Sequence, residues 1–276
     1  MTARMEMALE NVLTRSGCEG WWCASRLHDG VTIGRKQDEK ITVASLYKIR
    51  LLHLTLEAIQ RGDLDPRLRV DVAPSKGTYE GYGFAAFDDA VNVSLRDLMK
   101  QVASVSDNVA AHEILRLLPA WAREAFLKRF PPHYDLQDRN SLVTAEKQLR
   151  QYVQSQGGSS TDIAFSAVSS MAEITNDLEQ VWKDDSAAVR RSMCELLGLQ
   201  VWRHRVPSGF PPSGVDIYGK TGTVGLLHGE ASIIQVEGEE PIVVSIMLKQ
   251  VVPEQAMSTH DGAIGEVARL LVDALR

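Results

Sequence analysis

Ser45 and Lys48 stand three positions apart in ITVASLYKIRLLHLTLEAI, residues 41–59, a stretch that is otherwise mostly apolar. On a helix this spacing puts a hydroxyl and an ammonium on one face, a turn apart. A serine hydroxyl is a poor nucleophile until a neighbouring base takes its proton. Lys48, set in an apolar run, is a candidate for that base, because burial disfavours its charged form. Ser45, at the expected start of the helix, also sits where the helix dipole favours developing negative charge. Two further groups extend the pair: Ser106-Asp107-Asn108, and Lys220-Thr221-Gly222 followed by Thr223. Ser106 could relay a proton to a leaving nitrogen, and Asn108 could hold an amide of the substrate. Lys220 could meet a substrate carboxylate, with Thr221 and Thr223 as hydrogen-bonding neighbours, while Asp107 is expected to be structural. Singly, these pieces have ordinary explanations as a helix cap, a snorkelling lysine, a polar loop and a strand-end turn. Together they describe acyl transfer.

Such residues need elements to hold them. The spacing predicts a helix over residues 3–16, ended near Gly17. A hairpin follows, in which GWWCASRLHDG runs into an Asp-Gly turn and VTIGRKQDEKI returns. After the Ser45 helix, Gly62, Pro66 and APSKGTYEGYGF mark a long loop region. Helical periodicity resumes in VSLRDLMKQVASVS, where Ser94 and Asp97 make a Ser-x-x-Asp capping pattern, and in NVAAHEILRLL. AWAREAFLKRF is a further helix, stopped by Pro131 and Pro132. Residues 131–162 are polar and irregular, and AVSSMAEITNDLEQVW and SAAVRRSMCELLGLQ then return to helix. From Gly214 the glycine-separated, β-branched segments VDIYGKTGT, LHGEASIIQVEG and EPIVVSIMLKQV predict an antiparallel meander, and DGAIGEVARLLVDALR a last helix. The economical arrangement is α/β (α+β): an antiparallel sheet built from both termini and flanked by helices, with an inserted all-helical lobe. Residues 1–276 are expected to form one unit, with an α/β lobe of 1–44 plus 200–276 and a helical lobe of 45–199. The cleft between lobes is the natural place for the site.

Composition narrows the choice of partners. The 276 residues, 44% apolar and 24% charged, suit a globular chain with a real core. A formal charge of −6 excludes a basic surplus, so nucleic acid is not an expected partner. No apolar run is long enough to span a membrane. MTARMEMALENVLTRSG reads as an amphipathic helix, not an export signal, so a cytoplasmic location is expected; a periplasmic or secreted one follows if a leader has been removed. Cys18, Cys23 and Cys194 have no metal or redox spacing and read as small buried hydrophobes, a Cys18–Cys23 disulfide being the other option.

Ser45-x-x-Lys48, Ser106-Asp107-Asn108 and Lys220-Thr221-Gly222 occur in the order of the S-x-x-K, S-D-N and K-T-G motifs of class A β-lactamases and penicillin-binding proteins. The chain resembles class A serine β-lactamases over nearly its whole length, with RLRVDVAPS, VNVSLRDLMKQVASVSDNVAAHEIL and YGKTGTVG as corresponding segments. The resemblance implies a β-lactamase/transpeptidase-like fold and an acyl-enzyme on Ser45 that opens a β-lactam amide. It implies catalytic roles for Ser45, Lys48 and Ser106, and an oxyanion hole from the backbone N–H groups of Ser45 and Thr223. Substrate contacts would fall to Tyr79, Asn108, Lys220, Thr221, Gly222 and Thr223. It further implies a small-molecule substrate carrying a carboxylate and an amide or ester, no cofactor, no metal and a monomer.

One departure stands out. The family carries a glutamate in an R-x-E-x-x-L-N loop that activates the deacylating water. With Asp138-Arg139 aligned to the start of that loop, Ser141 falls where the glutamate belongs, and no E-x-x-L-N follows. Glu146 is the nearest candidate for the deacylating role, a solvated helix face being its other reading. Acylation is therefore equipped, and deacylation lacks its usual base. The alternatives are a cytosolic esterase, amidase or acyltransferase using the same residues, and a non-catalytic protein of the same fold that binds a carboxylated ligand.

Overall fold

The structure is a computed structural model, and it describes residues 2–73, 82–131, 167–252 and 256–276. Helix α1 (Ala3–Ser16) begins at Thr2, whose hydroxyl accepts from the Met5 N–H, and ends on Gly17 in the left-handed conformation. Strands β1 (Cys18–Arg26) and β2 (Thr32–Arg35) form the expected hairpin. From the far end of the chain come β7 (Val215–Val224), β8 (Leu227–Val236) and β9 (Ile242–Gln250). The sheet order is β2-β1-β9-β8-β7, antiparallel throughout, so the two termini meet at the β1–β9 pairing. This is the predicted α+β arrangement.

Strand alternation sorts the sheet residues onto two faces. Trp22, Ala24, Val244, Ile246 and Leu248 are buried under α1 and the closing helix α8 (Met257–Leu275), which begins four residues before the stretch predicted to be helical. Trp21, Cys23, Val243 and Met247 face the other way into a larger core. That core is shared by α2 (Lys48–Gln60), α3 (Leu95–Ser104), α4 (Asn108–Leu117) and α5 (Ala120–Arg129), together with α6 (Met171–Trp182) and α7 (Ala187–Gly198). Helix α6 packs against β1, β8 and β9 on one side and against α2 on the other, which ties the sheet to the helix that follows Ser45. Cys18 and Cys23 are buried free thiols.

Two short pairings hold the entrance to α2. Strand β3 (Ile41–Thr42) pairs with β6 (Val168–Ser169), and the Val43 N–H donates to the Ala167 carbonyl at 2.9 Å. A separate hairpin, β4 (Arg69–Val72) with β5 (Val91–Ser94), leads into α3. There the expected capping pattern takes another form. Ser94 is the cap residue, but its hydroxyl lies 2.5 Å from an Asp97 carboxylate oxygen and accepts from no backbone N–H of the first turn. The hydroxyl donates to the Asp97 carboxylate in a short, charge-assisted bond, and this orients it in place of a bond accepted from the backbone.

Candidate active site

Ser45 does not open an α-helix as its spacing suggested. It lies in a 3-10 turn, Ala44–Tyr47, and Lys48 is the first α-helical residue after it. The turn closes with the Leu46 N–H donating to the Val43 carbonyl, and Ala44 is held at φ +45°. Ser106 is likewise left-handed, at φ +63°. Among the described residues only Lys36 shares this with them outside glycine. Each such conformation costs on the order of 1 kcal/mol or more in a residue with a Cβ. Surrounding bonds must therefore enforce it at both serine-bearing loops.

Lys48 gathers the motif residues into one cluster. Its side chain is fully buried, and among the described residues four oxygens surround Nζ. Ser45 Oγ lies at 2.9 Å, the Ser106 carbonyl at 2.7 Å, Ser106 Oγ at 3.1 Å and Asn108 Oδ1 at 2.5 Å. An ammonium has three N–H donors and a neutral amine two donors with one lone pair. The two carbonyl-type oxygens can only accept, whereas both hydroxyls can also donate. Asn108 Oδ1 accepts from Lys48, so the expected substrate contact would fall to its Nδ2 group.

Asp107 takes the structural part foreseen for it. It caps α4 through Oδ1, which accepts from Val109 N and Ala110 N at 2.9 and 3.1 Å. Its Oδ2 accepts from Phe84 N at 2.7 Å, tying the segment after Tyr82 to the Ser106 loop. Burial pushes the Asp107 carboxyl up, against the pull of these N–H groups and of Lys48. Gly83, at φ +76°, makes the contact possible, since a Cβ there would fall 2.2 Å from Asp107 Oδ2.

Strand β7 brings the third motif. It is the sheet's edge strand and packs directly on the 3-10 turn. Gly222 permits this approach, because a Cβ there would stand 2.8 Å from the Val43 carbonyl and 3.1 Å from Leu46 Cγ. Lys220 is fully buried with its Nζ 2.9 Å from the Thr221 carbonyl. Behind β7, Arg205 forms a network that the sequence reading missed. Its guanidinium donates to the Gly222 carbonyl at 3.0 Å, the Gly229 carbonyl at 2.9 Å and Thr223 Oγ1 at 2.8 Å. Arg205 Nε pairs with Asp261 Oδ1 at 2.8 Å, and His228 Nδ1 reaches the same oxygen at 2.8 Å. Despite burial, these partners hold the Asp261 carboxyl down to about 2. Glu230, fully buried beside them, is pushed up to about 7 by desolvation; it accepts from Val206 N and the Ser232 hydroxyl.

Tyr79, Ser141 and Glu146 lie outside the described residues. The tyrosine described beside the Ser106 loop is Tyr82, whose ring meets Trp202 with centroids 4.9 Å apart. Among the described residues one grouping is compact enough for a metal ion, His53, Glu57 and Asp184, with ligand atoms within 4.8 Å of one another. There His53 Nε2 already lies 2.8 Å from Asp184 Oδ2, and the Arg50 guanidinium, 3.4 Å from His53 Nδ1, opposes a second cation.

Comparison with known proteins agrees with this architecture. The model of the β-lactamase enzyme family matches residues 4–275. A relative named β-lactamase regulatory protein BlaB, from Streptomyces cacaoi, is 24% identical and aligns over 97% of this chain and 96% of its own length. The extended-spectrum β-lactamase PER-1 of Pseudomonas aeruginosa is also 24% identical, over 84% of this chain and 74% of that protein. Among solved structures, an ancestral class A β-lactamase reconstructed for Gram-negative bacteria superposes with a TM-score of 0.74 at 22% identity, covering 98% of this chain and 99% of that one. The putative class A β-lactamase PenP of Rhodopseudomonas palustris gives 0.73 at 18% identity, covering 98% and 99%. At these identities the superpositions establish the class A fold.

Proposed function

Because the chain belongs to the β-lactamase enzyme family, we propose that it is a serine hydrolase that opens a β-lactam amide through an acyl-enzyme on Ser45. The observation that carries this reading is the placement of Lys48 Nζ, 2.9 Å from Ser45 Oγ and bonded on its other sides to two carbonyl-type oxygens. In its neutral form the amine spends its two N–H donors on Ser106 O and Asn108 Oδ1, and its lone pair is left for the Ser45 proton.

Lys48 takes the Ser45 proton while Ser45 Oγ bonds to the substrate carbonyl carbon. The oxyanion is met by the backbone N–H groups of Ser45 and Thr223, which Gly222 allows to approach each other. The C–N bond breaks as the leaving nitrogen takes the Ser106 hydroxyl proton, and Lys48, 3.1 Å from Ser106 Oγ, returns a proton to that oxygen. A substrate carboxylate is received beside Lys220, Thr221 and Thr223. Hydrolysis finally adds water across the Ser45 ester, releasing the acid and restoring the hydroxyl.

A second reading has specific support. The relative aligned over nearly its full length is named a regulatory protein, and with Asp138-Arg139 aligned to the start of the family's loop, Ser141 takes the position of its water-activating glutamate. On this reading the chain acylates and keeps its acyl group, so it registers a ligand without destroying it. A chromogenic cephalosporin with parallel intact-mass spectrometry separates the two. Steady turnover that vanishes in Ser45→Ala supports the hydrolase, and Glu146→Gln then tests the water-activating group. A stable 1:1 adduct without turnover supports the second reading, and absence of both adduct and turnover overturns both.

A further inference from the structure

Glu230 lies on β8 with 1% of its surface exposed, and it takes no part in the proposed acylation. In the β7–β8 register it stands opposite Thr221, while Ser232 and His228 on the same face stand opposite Gly219 and Thr223. Lys220, opposite Ala231, belongs to the other face of β7. The Glu230 carboxyl lies against the β7 backbone just before Lys220. A Cβ at Gly219 would fall 2.5 Å from Glu230 Oε1 and 2.4 Å from Ser232 Oγ. The thickness of one strand thus separates a buried carboxyl from the lysine proposed to receive a substrate carboxylate.

The bonds to this carboxyl suit two protonation states. The Val206 N–H can only donate, and Oε2 accepts it at 3.0 Å whether or not the group is ionised. Ser232 Oγ, 3.0 Å from Oε1, can donate to a carboxylate or accept from a carboxylic acid. Neither partner is charged, so burial is the largest influence on Glu230 and pushes it up to about 7. The other charges around it come from the neighbouring elements. Arg205, just before the turn Val206–Gly209, is paired with Asp261 of α8, and both Arg205 and Lys220 pull on Glu230. His228 on β8 bonds the Asp261 carboxylate as well, and His260 of α8 stacks on His228. Strand β9 presents only the uncharged Ile246 opposite Glu230. Arg205 and Asp261 balance each other, so ionising Glu230 adds one negative charge beneath β7.

We propose that Glu230 is a positioning residue for anion recognition: through its charge it sets how tightly Lys220, Thr221 and Thr223 hold a ligand carboxylate, tightly when Glu230 is protonated and less so when it is ionised. The assignment rests on the reading that these three residues receive the substrate carboxylate. One unit charge this close to the ligand's own is worth about threefold or more in affinity even when largely screened. By linkage, a bound carboxylate makes Glu230 harder to ionise by the same factor.

The test titrates benzylpenicillin calorimetrically into Ser45→Ala, which cannot be acylated there, from about pH 6 to about pH 8.5, with and without Glu230→Gln. The glutamine keeps an acceptor for the Val206 N–H and offers its NH2 to Ser232 Oγ, so it copies the neutral acid and leaves every histidine in place. Kd in Ser45→Ala is expected to rise about threefold or more across the range, and the double variant to lose most of that rise. Equal pH dependence with and without Glu230 overturns the proposal. A second measurement needs no ligand: the infrared difference between the wild type and Glu230→Gln follows the carboxylic acid C=O band of Glu230, which should disappear around pH 7. Ser232→Ala, which removes a donor to the ionised form, should move that midpoint upward, and an unmoved midpoint overturns the assigned bonding. If penicillin binds and no band titrates, the proposal alone has failed. If the band titrates and no penicillin binds at any pH, the carboxylate reading of Lys220 has failed and the proposal falls with it.

Discussion

Lys48 and Arg205 are both buried basic side chains bonded to several oxygens, and their surroundings differ in kind. Lys48 touches two hydroxyls, a backbone carbonyl and a side-chain amide oxygen. Arg205 bonds two carbonyls and a threonine hydroxyl, and its Nε is locked to the Asp261 carboxylate. The first arrangement lets a proton move, because an amine can give one up and each hydroxyl can pass one on. The second forbids it, because a guanidinium does not give up its proton in a protein. On the proposed reading, one site thus separates a group able to exchange protons from a group that holds β7 in place.

Variants at the two residues should diverge accordingly. Lys48→Met removes the exchangeable group and replaces a buried polar stem with an apolar one of similar length. Acylation of Ser45 should fall by about 10²–10⁴, measured as the rate of mass-adduct formation, with the fold retained. Lys48→Arg should do no better, since it supplies charge without a base; near-normal acylation in either variant would erase the contrast. Asp261→Asn leaves Arg205 buried without its carboxylate and should cost about 3 kcal/mol in urea unfolding. A loss below about 0.5 kcal/mol would mean that Arg205 is held by its neutral partners alone.

The smallest effect concerns pH. His260, stacked on His228 at 4.4 Å, is pushed down to about 4 by burial and by the neighbouring His228. Between pH 6.5 and 4 the unfolded chain binds a proton that the folded chain refuses, so stability falls as pH falls through this window, by up to about 1.4 kcal/mol per unit. Asp177, pushed up to about 6 by burial, has the opposite sign between 3.8 and 6. Comparing the wild type with His260→Gln cancels that contribution. The variant should lose less stability between pH 6.5 and 4 than the wild type, and equal slopes would exclude His260 as the source.

What was legible in the sequence follows the same division. Ser45, Lys48, Ser106, Asn108 and Lys220 carry their chemistry in short, local spacings, and the alternation of β7–β9 is strong enough to place the K-T-G motif on a strand. The Arg205–Asp261 pair joins residues from opposite ends of the last third of the chain, and no local pattern connects them. The left-handed Ala44 and Ser106 were equally hidden, because neither residue type advertises positive φ; contacts at Val43, Ala167 and β7 surround Ala44, while Lys48 Nζ bonds the Ser106 carbonyl and Asp107 N–H donates to the Gln101 carbonyl. The contacts around Ala44 tighten the start of α2 into a 3-10 turn, which helical periodicity alone does not anticipate.

The central claim is that Ser45 becomes covalently acylated with Lys48 as its base. The most direct measurement is peptide mapping after brief exposure to a penicillin at pH 7. The predicted result is one added penicillin mass on the peptide containing Ser45, absent in Ser45→Ala and formed at least a hundredfold more slowly in Lys48→Met. An adduct that persists in Ser45→Ala, or that maps to another residue, would contradict the account.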